Sequence, residues 1–114
     1  MKILAIEREQ PGAAAHDFRR LARAEVAKAW ELYQAGVIRE LYFRQDRTEA
    51  VLILECADVE EAAAHLATLP LVEAGLIAFE IIPLAPYPGF ARLFGDWSGP
   101  AKEHSGPCGN GSSL

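Results

Sequence analysis

Residues 36–56, GVIRELYFRQDRTEAVLILEC, decide the fold, because they read as two β-strands joined by a polar connector. In Val37–Arg44 the odd-numbered residues are mostly apolar and alternate with the even-numbered residues on the opposite face. Ala50–Cys56 is apolar at odd and even positions alike, which predicts that both of its faces are buried. Helices on one face of the sheet would leave the other face in water, so we expect a second copy of the protein to cover it.

Further elements flank this hairpin on both sides. The patterns predict a strand at Lys2–Arg8, a helix at Ala13–Ala35 that ends at Gly36, a helix at Val59–Thr68 capped by Asp58, and a strand at Leu76–Leu84. The order β-α-β-β-α-β is the split βαβ arrangement of an α+β ferredoxin-like sandwich. Right-handed crossovers place the first and third strands in the centre of the sheet and the charged strand Val37–Arg44 at an edge.

The domain organisation follows from length and from the C-terminal composition. A chain of 114 residues predicts one domain, which we place at residues 1–94 and which ends in an irregular, proline-containing arm. Gly, Ser and Pro dominate residues 95–114, so we expect a disordered tail there.

Composition narrows the classes of partner. The formal net charge of −5 argues against nucleic acid, and no stretch has the ~20 apolar residues of a membrane span. Cys56 and Cys108 form neither a disulfide framework nor a CxxC pair, so the cytoplasm is the expected compartment.

The histidines and cysteines make no set of three or four metal ligands, and no Gly-rich phosphate loop is present. We expect no metal and no cofactor.

Glu25 is the most informative polar residue of the first predicted helix. It lies near the middle of the apolar face, four residues after Leu21 and seven before Leu32. A buried carboxylate is costly unless it is paired or protonated. It is therefore either half of a structural ion pair with Arg39 or Arg8, or exposed where the helix leans away, or a general base whose pKa is raised by burial.

Two residues of the edge strand are further candidates. Arg39 lies on the mostly apolar odd face, where it either extends to water as an edge charge or binds the carboxylate of an acidic substrate. Tyr42 either packs or donates a hydrogen bond to a developing enolate oxygen. The aromatic residues would also suit a flat substrate: Phe18, Trp30, Tyr33, Tyr42 and Phe79.

Four motifs in order resemble the muconolactone isomerase family, which belongs to the dimeric α+β barrel group. They are LYQAG (32–36), VIRELYF (37–43), LATLPLV (66–72) and FEIIPLAPYP (79–88), and the resemblance covers roughly residues 1–90. It implies a small, cofactor-free, oligomeric enzyme of aromatic-compound breakdown, whose named activity shifts a double bond in a lactone acid.

The resemblance also implies roles for single residues. By position Glu25 falls on a helix carboxylate of the family, Arg39 on a strand arginine and Glu80 on a glutamate of the last strand. This chain departs from the family at other positions. Tyr42 replaces a tryptophan, Tyr87 replaces a histidine, and Phe43 stands where the family has a second arginine, unless Arg44 takes that role through a one-residue shift.

We therefore expect a muconolactone isomerase-like enzyme that moves a proton on a small unsaturated lactone or carbonyl acid, acting as a homodimer or higher oligomer. Glu25 shuttles the proton, Tyr42 supports the enolate and Arg39 holds a carboxylate. Other expected substrate contacts are Arg44, Phe18, Phe79 and Tyr87. The alternatives are a cofactor-free monooxygenase or cyclase on an aromatic polyketide-like substrate, since fold alone does not fix chemistry, and a non-catalytic dimeric ligand-binding module.

Overall fold

The computed structural model of the protein describes residues 1–95. Its strands are β1 (Lys2–Glu9), β2 (Ile38–Phe43), β3 (Ala50–Glu55) and β4 (Ile77–Pro83). Its helices are α1 (Ala15–Gln34), α2 (Val59–Leu66) and the short α3 (Pro70–Glu73), and a 3-10 helix spans Gly89–Phe94. The expectation of a disordered tail falls almost wholly on residues 96–114, which lie outside the described part of the chain.

The four strands form one antiparallel sheet in the order β2-β3-β1-β4. The first and third strands are central and the charged β2 lies at an edge, so the predicted ferredoxin-like topology is confirmed. Inward-facing residues of the central strands pack beneath α1 and α2. Ile3 of β1 pairs with Leu54 of β3, and both are fully buried together with Leu32 of α1 and Leu66 of α2.

The outer face of the sheet, which points away from the helices, is also apolar. Leu4, Ile6, Val51, Ile53 and Ile82 lie there and are half-buried in the single chain. Within one chain the inner face of β3 is therefore buried as predicted, whereas its outer face is only half-buried.

The predicted strict alternation of β2 is wrong, because the strand contains a β-bulge. Ile38 pairs with Leu54 but Glu40 pairs with Ile53, which leaves Arg39 as an extra, unpaired residue. Beyond the bulge, Leu41 pairs with the inward-facing Leu52. Ile38 is consequently buried on the inner face, and Arg39 does not share a continuous apolar face with the odd-numbered residues.

Most predicted boundaries shift by one or two residues, and two elements are new, the helix α3 and the 3-10 helix in the arm that was expected to be irregular. Helix α1 ends before Gly36, whose φ of +82° is a conformation that glycine adopts readily. The Asp58 side chain accepts a hydrogen bond from the Glu61 amide at the start of α2, as predicted. Helix α2 ends at Leu66 rather than Thr68, because Pro70 begins the separate helix α3.

Candidate active site

A cavity of about 230 Å³ lies between α1 and the inner face of the sheet. Its wall is mostly apolar, with phenylalanine side chains from α1, β2 and β4, namely Phe18, Phe43 and Phe79. Two carboxylates, Glu25 and Glu7, interrupt this apolar wall. A mainly apolar cavity with a few polar groups is the usual form of a small-molecule site.

Glu25 reaches this cavity from α1 and is held by the backbone of α3. Its Oε1 accepts a hydrogen bond of 2.9 Å from the Leu71 amide. Burial raises the pKa of the Glu25 carboxyl above its ordinary value, and the Leu71 hydrogen bond offsets part of that rise. The ion pair with Arg39 or Arg8 is not formed. Arg39 donates from Nε to the Gly36 carbonyl oxygen, and Arg8 pairs with Glu80 on the outer face.

Glu7 is the carboxylate that the sequence analysis missed. It is 8% exposed on the inner face of β1, and its Oε1 accepts a hydrogen bond of 2.9 Å from the Ala50 amide. Burial is the main cause that raises the pKa of Glu7; the Ala50 hydrogen bond opposes it, and the negative charges of Glu49, Glu25 and Glu9 add to it. The alternation of Ile3, Ala5 and Glu7 along β1 was a signal that could have placed this side chain inward.

The predicted site residues divide between the cavity and a neighbouring groove. Glu25, Phe18 and Phe79 line the cavity. Arg39 and Tyr42 instead line an open groove of about 590 Å³ between α1 and β2. The groove and the cavity share the side chains of Val26, Ala29 and Leu41, so they are contiguous.

Tyr42 stands at the outer edge of this groove and not beside Glu25. Its hydroxyl donates a hydrogen bond of 2.8 Å to Glu40, and this bond is the main cause that raises the pKa of Tyr42. Trp30 and Tyr33 of α1 stack in the same groove with their ring centroids 5.6 Å apart. The groove therefore presents aromatic surface beside one arginine and one glutamate.

Arg44 and Tyr87, both expected to contact substrate, line neither space. Arg44 makes two hydrogen bonds to the Asp46 carboxylate, of 2.6 and 2.8 Å, and lies 3.7 Å from Glu49. Tyr87 packs edge to face against Phe90 in the C-terminal arm. Both residues thus lie outside the cavity in the single chain.

Residues 1–95 contain neither a cluster of metal ligands nor a membrane-spanning helix. No group of three or more His, Cys, Asp or Glu side chains in this range is arranged to hold a metal ion. None of the helices within it has the length and apolar character required to cross a membrane.

Comparison with known proteins agrees with this architecture. Among solved structures the chain is similar to the 5-chloro-2-hydroxyhydroquinone dehydrochlorinase TftG from Burkholderia phenoliruptrix, determined in complex with 2,5-dihydroxybenzoquinone. The two share 20% sequence identity with a TM-score of 0.61, over 75% of this chain and 94% of that one. At this identity the likeness establishes the fold. No curated protein sequence matches the chain.

The family itself is established by sequence. The profile of the family described as muconolactone delta-isomerase matches residues 5–89, well over half of the 114 residues. The match includes all four strands except the first three residues of β1, and both cavity carboxylates. The chain belongs to the muconolactone delta-isomerase family, as the motifs in its sequence indicated.

Proposed function

We propose that this protein is a cofactor-independent enzyme that moves a proton, and with it a double bond, on a small unsaturated lactone or related carbonyl acid. The observation that carries the proposal is the position of Glu25. It is a carboxylate in a mostly apolar cavity that accepts a hydrogen bond from a backbone amide, and no cation of the described part of the chain pairs with it. Membership of the muconolactone delta-isomerase family supports the same reaction class.

The surroundings of Glu25 suit a base for a weak carbon acid. A hydrogen on carbon next to a carbonyl is removed most effectively by a base whose pKa lies near the working pH. Burial moves the pKa of Glu25 in that direction. The Leu71 amide fixes one carboxyl oxygen at 2.9 Å, which leaves the other to take a proton from one carbon of the substrate and return it to another.

The size of the cavity limits the substrate. Drug-sized ligands occupy sites of about 300–1,000 Å³, whereas this cavity measures about 230 Å³. Aromatic walls from Phe18, Phe43 and Phe79 suit one small planar ring. A single-ring substrate is therefore favoured over the polycyclic substrate of a monooxygenase or polyketide cyclase, which would fill the cavity and extend far beyond it.

The neighbouring groove supplies a place for an acidic substituent. Arg39 uses Nε to bind the Gly36 carbonyl oxygen, at 2.8 Å, which leaves the two terminal nitrogens of the guanidinium for a carboxylate. We assign Arg39 to the substrate carboxylate and Tyr42, in the same groove, to orientation of that end of the molecule. The ring would then lie in the cavity, with the acid extending past Leu41 to Arg39 in the groove.

A second candidate substrate class is a neutral hydroxylated ring. Among residues 1–95, the side chains that line the cavity include no Lys or Arg, so these side chains offer no cation to pair with an anion. The dehydrochlorinase of similar fold was solved with 2,5-dihydroxybenzoquinone, a small oxygenated ring. Proton removal by Glu25 would begin a tautomerisation or an elimination on such a ring as well.

Association through the outer face of the sheet is part of the proposal. Leu4, Ile6, Val51, Ile53 and Ile82 form an apolar surface that is half-exposed in one chain, and large exposed apolar patches mark association sites. We propose that two copies pack sheet to sheet. Sedimentation equilibrium at micromolar concentration is expected to show a dimer or larger species, and a monomer would contradict this part of the proposal.

Proton NMR in D₂O tests the reaction itself and separates the two substrate classes. Wild-type protein is incubated with muconolactone and, separately, with hydroxyhydroquinone, and solvent deuterium in the carbon-bound positions is followed. We expect turnover of muconolactone to weaken strongly in Arg39→Gln while that of the neutral ring is unchanged, if Arg39 binds the acid. No exchange or conversion of either compound would refute the proposed function.

A further inference from the structure

The cavity holds carboxylates on two opposite walls. Glu25 projects from α1, and Glu7 projects from the inner face of β1, in the sheet beneath that helix. Each is held at one oxygen by a backbone amide, Leu71 for Glu25 and Ala50 for Glu7, both at 2.9 Å. Each side chain thus has its second carboxyl oxygen available for a proton or for a substrate atom.

A purely structural role does not require a charged residue at position 7. The β1–β3 ladder ends at the pair Ile6 and Val51, so the Ala50 amide lies just beyond it and uses the Glu7 side chain as its acceptor. A glutamine would accept the same hydrogen bond without placing an ionisable group at 8% exposure. The acid at this position is therefore unexplained by the fold alone.

We propose that Glu7 is a second catalytic acid–base residue of this cavity, so that proton transfer uses Glu25 on the helix side and Glu7 on the sheet side. The inference rests on the proposed function, since it assigns a role within the same reaction. It changes the mechanism from a single residue that carries one proton between two carbons to a pair that divides the two transfers.

The proposed transfer conserves protons and electrons. The ionised Glu25 takes a proton from one carbon of the substrate, and the electrons of the broken C–H bond form the new double bond. The electrons of the old double bond move to the far carbon, which forms a C–H bond with the proton of neutral Glu7. Afterwards Glu25 is neutral and Glu7 is ionised, and exchange of one proton with water restores the starting state.

The charges around Glu7 fit one shared proton. Three other carboxylates act on it: Glu49 in the loop before β3, Glu25 on α1 and Glu9 farther along β1. Arg44 and Arg47 both lie 3.7 Å from Glu49 and partly neutralise that residue. Two carboxylates in one apolar site rarely ionise together, because the second charge is repelled by the first. One acid and one base is the resting state that the two transfers require.

A titration without substrate tests whether Glu7 and Glu25 are coupled. Protein labelled with ¹³C at the glutamate carboxyl carbon is titrated by NMR as wild type, Glu7→Gln and Glu25→Gln. Glu25→Gln is expected to lower the titration midpoint of Glu7, because the neighbouring negative charge of Glu25 is gone. Glu7→Gln replaces a group that is neutral while Glu25 titrates, so it should leave the midpoint of Glu25 nearly unchanged. Glu31→Gln is the matched control, since Glu31 is an exposed glutamate on the same helix, paired with Lys28. An unchanged Glu7 midpoint in Glu25→Gln would overturn the proposal.

Turnover of muconolactone in D₂O tests the transfer step. With two residues the product carries one solvent deuterium at the newly protonated carbon in every turnover, whereas one shuttling residue returns part of the substrate hydrogen. We expect Glu7→Gln to lower turnover by about 10²-fold or more, and Glu31→Gln to leave it unchanged. Full turnover in a folded Glu7→Gln, or retained substrate hydrogen in the wild type, would reject the role of Glu7. Failure of the wild type to turn over any substrate would instead reject the proposed function, whatever the titration shows.

Discussion

The layer between α1 and the sheet has two ends of opposite character. At the packed end, Leu32, Ile38 and Leu54 are 4%, 1% and 0% exposed. At the hollow end, Phe18, Glu25 and Glu7 surround a cavity of about 230 Å³. The packed end supplies apolar burial, which is the main favourable term in folding, and the hollow end keeps space and ionisable groups that folding alone would not select.

Both ends use the same strands, so the difference arises from side chains and not from backbone. Ile3 and Glu7 lie on the same face of β1, and Leu54 and Ala50 lie on the same face of β3. The inward positions at the packed end hold the large aliphatic side chains Ile3 and Leu54. The inward positions at the hollow end hold the carboxylate Glu7 and the small Ala50. A site made in this way can change its chemistry while the packed end continues to hold the fold.

The largest expected effect is on turnover at the hollow end. Glu25→Gln should reduce turnover by about 10²- to 10⁴-fold, or about 3–5.5 kcal/mol of transition-state stabilisation. The glutamine keeps an oxygen for the Leu71 amide but cannot take a proton. Steady-state kinetics and thermal unfolding are measured on the same preparation, with Glu31→Gln as the control. A large loss of stability without loss of turnover would show that Glu25 is a structural residue.

Substitutions at the packed end should change the free energy of unfolding and not turnover. Leu54→Ala removes a fully buried side chain and should cost about 2–5 kcal/mol of unfolding free energy. Leu41→Ala is the matched change at the cavity, where the leucine is 49% exposed, and should cost roughly 1 kcal/mol. Urea unfolding measures both. Equal costs would mean that the two ends are packed alike.

Filling the cavity should raise stability and lower turnover. Ala50→Val adds two methyl groups at the hollow end and should raise stability by about 0.5–2 kcal/mol while turnover falls. Ala5→Val is the matched strand residue on the same inner face, at 0% exposure, and overpacking there should cost about 1–3 kcal/mol. Calorimetry measures the stability of both variants, and an activity assay on the same preparations measures turnover. Destabilisation by Ala50→Val would argue against free space beside Ala50.

The same contrast explains what the sequence could and could not predict. Periodicity and turn residues were sufficient for the topology, since Gly36 and Asp58 each act locally and the apolar strands had to be central. The bulge at Arg39 was missed because pairing of β2 with β3, and not the alternation within β2, decides which residues face inward.

At the site, Glu25 was visible because it interrupts a helical apolar face, and Phe18 and Phe79 were found as aromatics. Glu7 was missed although it follows Ile3 and Ala5 on one strand face, because its partners Ala50 and Glu25 are distant in sequence. Arg39 and Tyr42 were expected beside Glu25, but the bulge places them in the adjacent groove.

The smallest expected effect is the pH dependence of stability, which should come from the hollow end. The pKa of Glu7 and of Glu25 is raised in the folded state above the ordinary value of 4.5. The folded protein therefore binds more protons than the unfolded chain above that pH, and stability falls as pH rises from about 4.5 to the raised values. The effect is modest because Glu25 is only partly buried.

The double variant Glu7→Gln/Glu25→Gln should remove this decline, because neither glutamine titrates. Asp46 and Glu55 have lowered pKa values and act in the opposite sense, losing stability as pH falls. They are present in both proteins, so they cancel in the difference between wild type and variant. Urea unfolding from pH 4 to 8 should show that the free energy of unfolding of the variant increases relative to that of the wild type as pH rises. A difference that stays constant across this range would mean that the two cavity carboxylates titrate normally, and the acid–base role of the hollow end would lose its electrostatic basis.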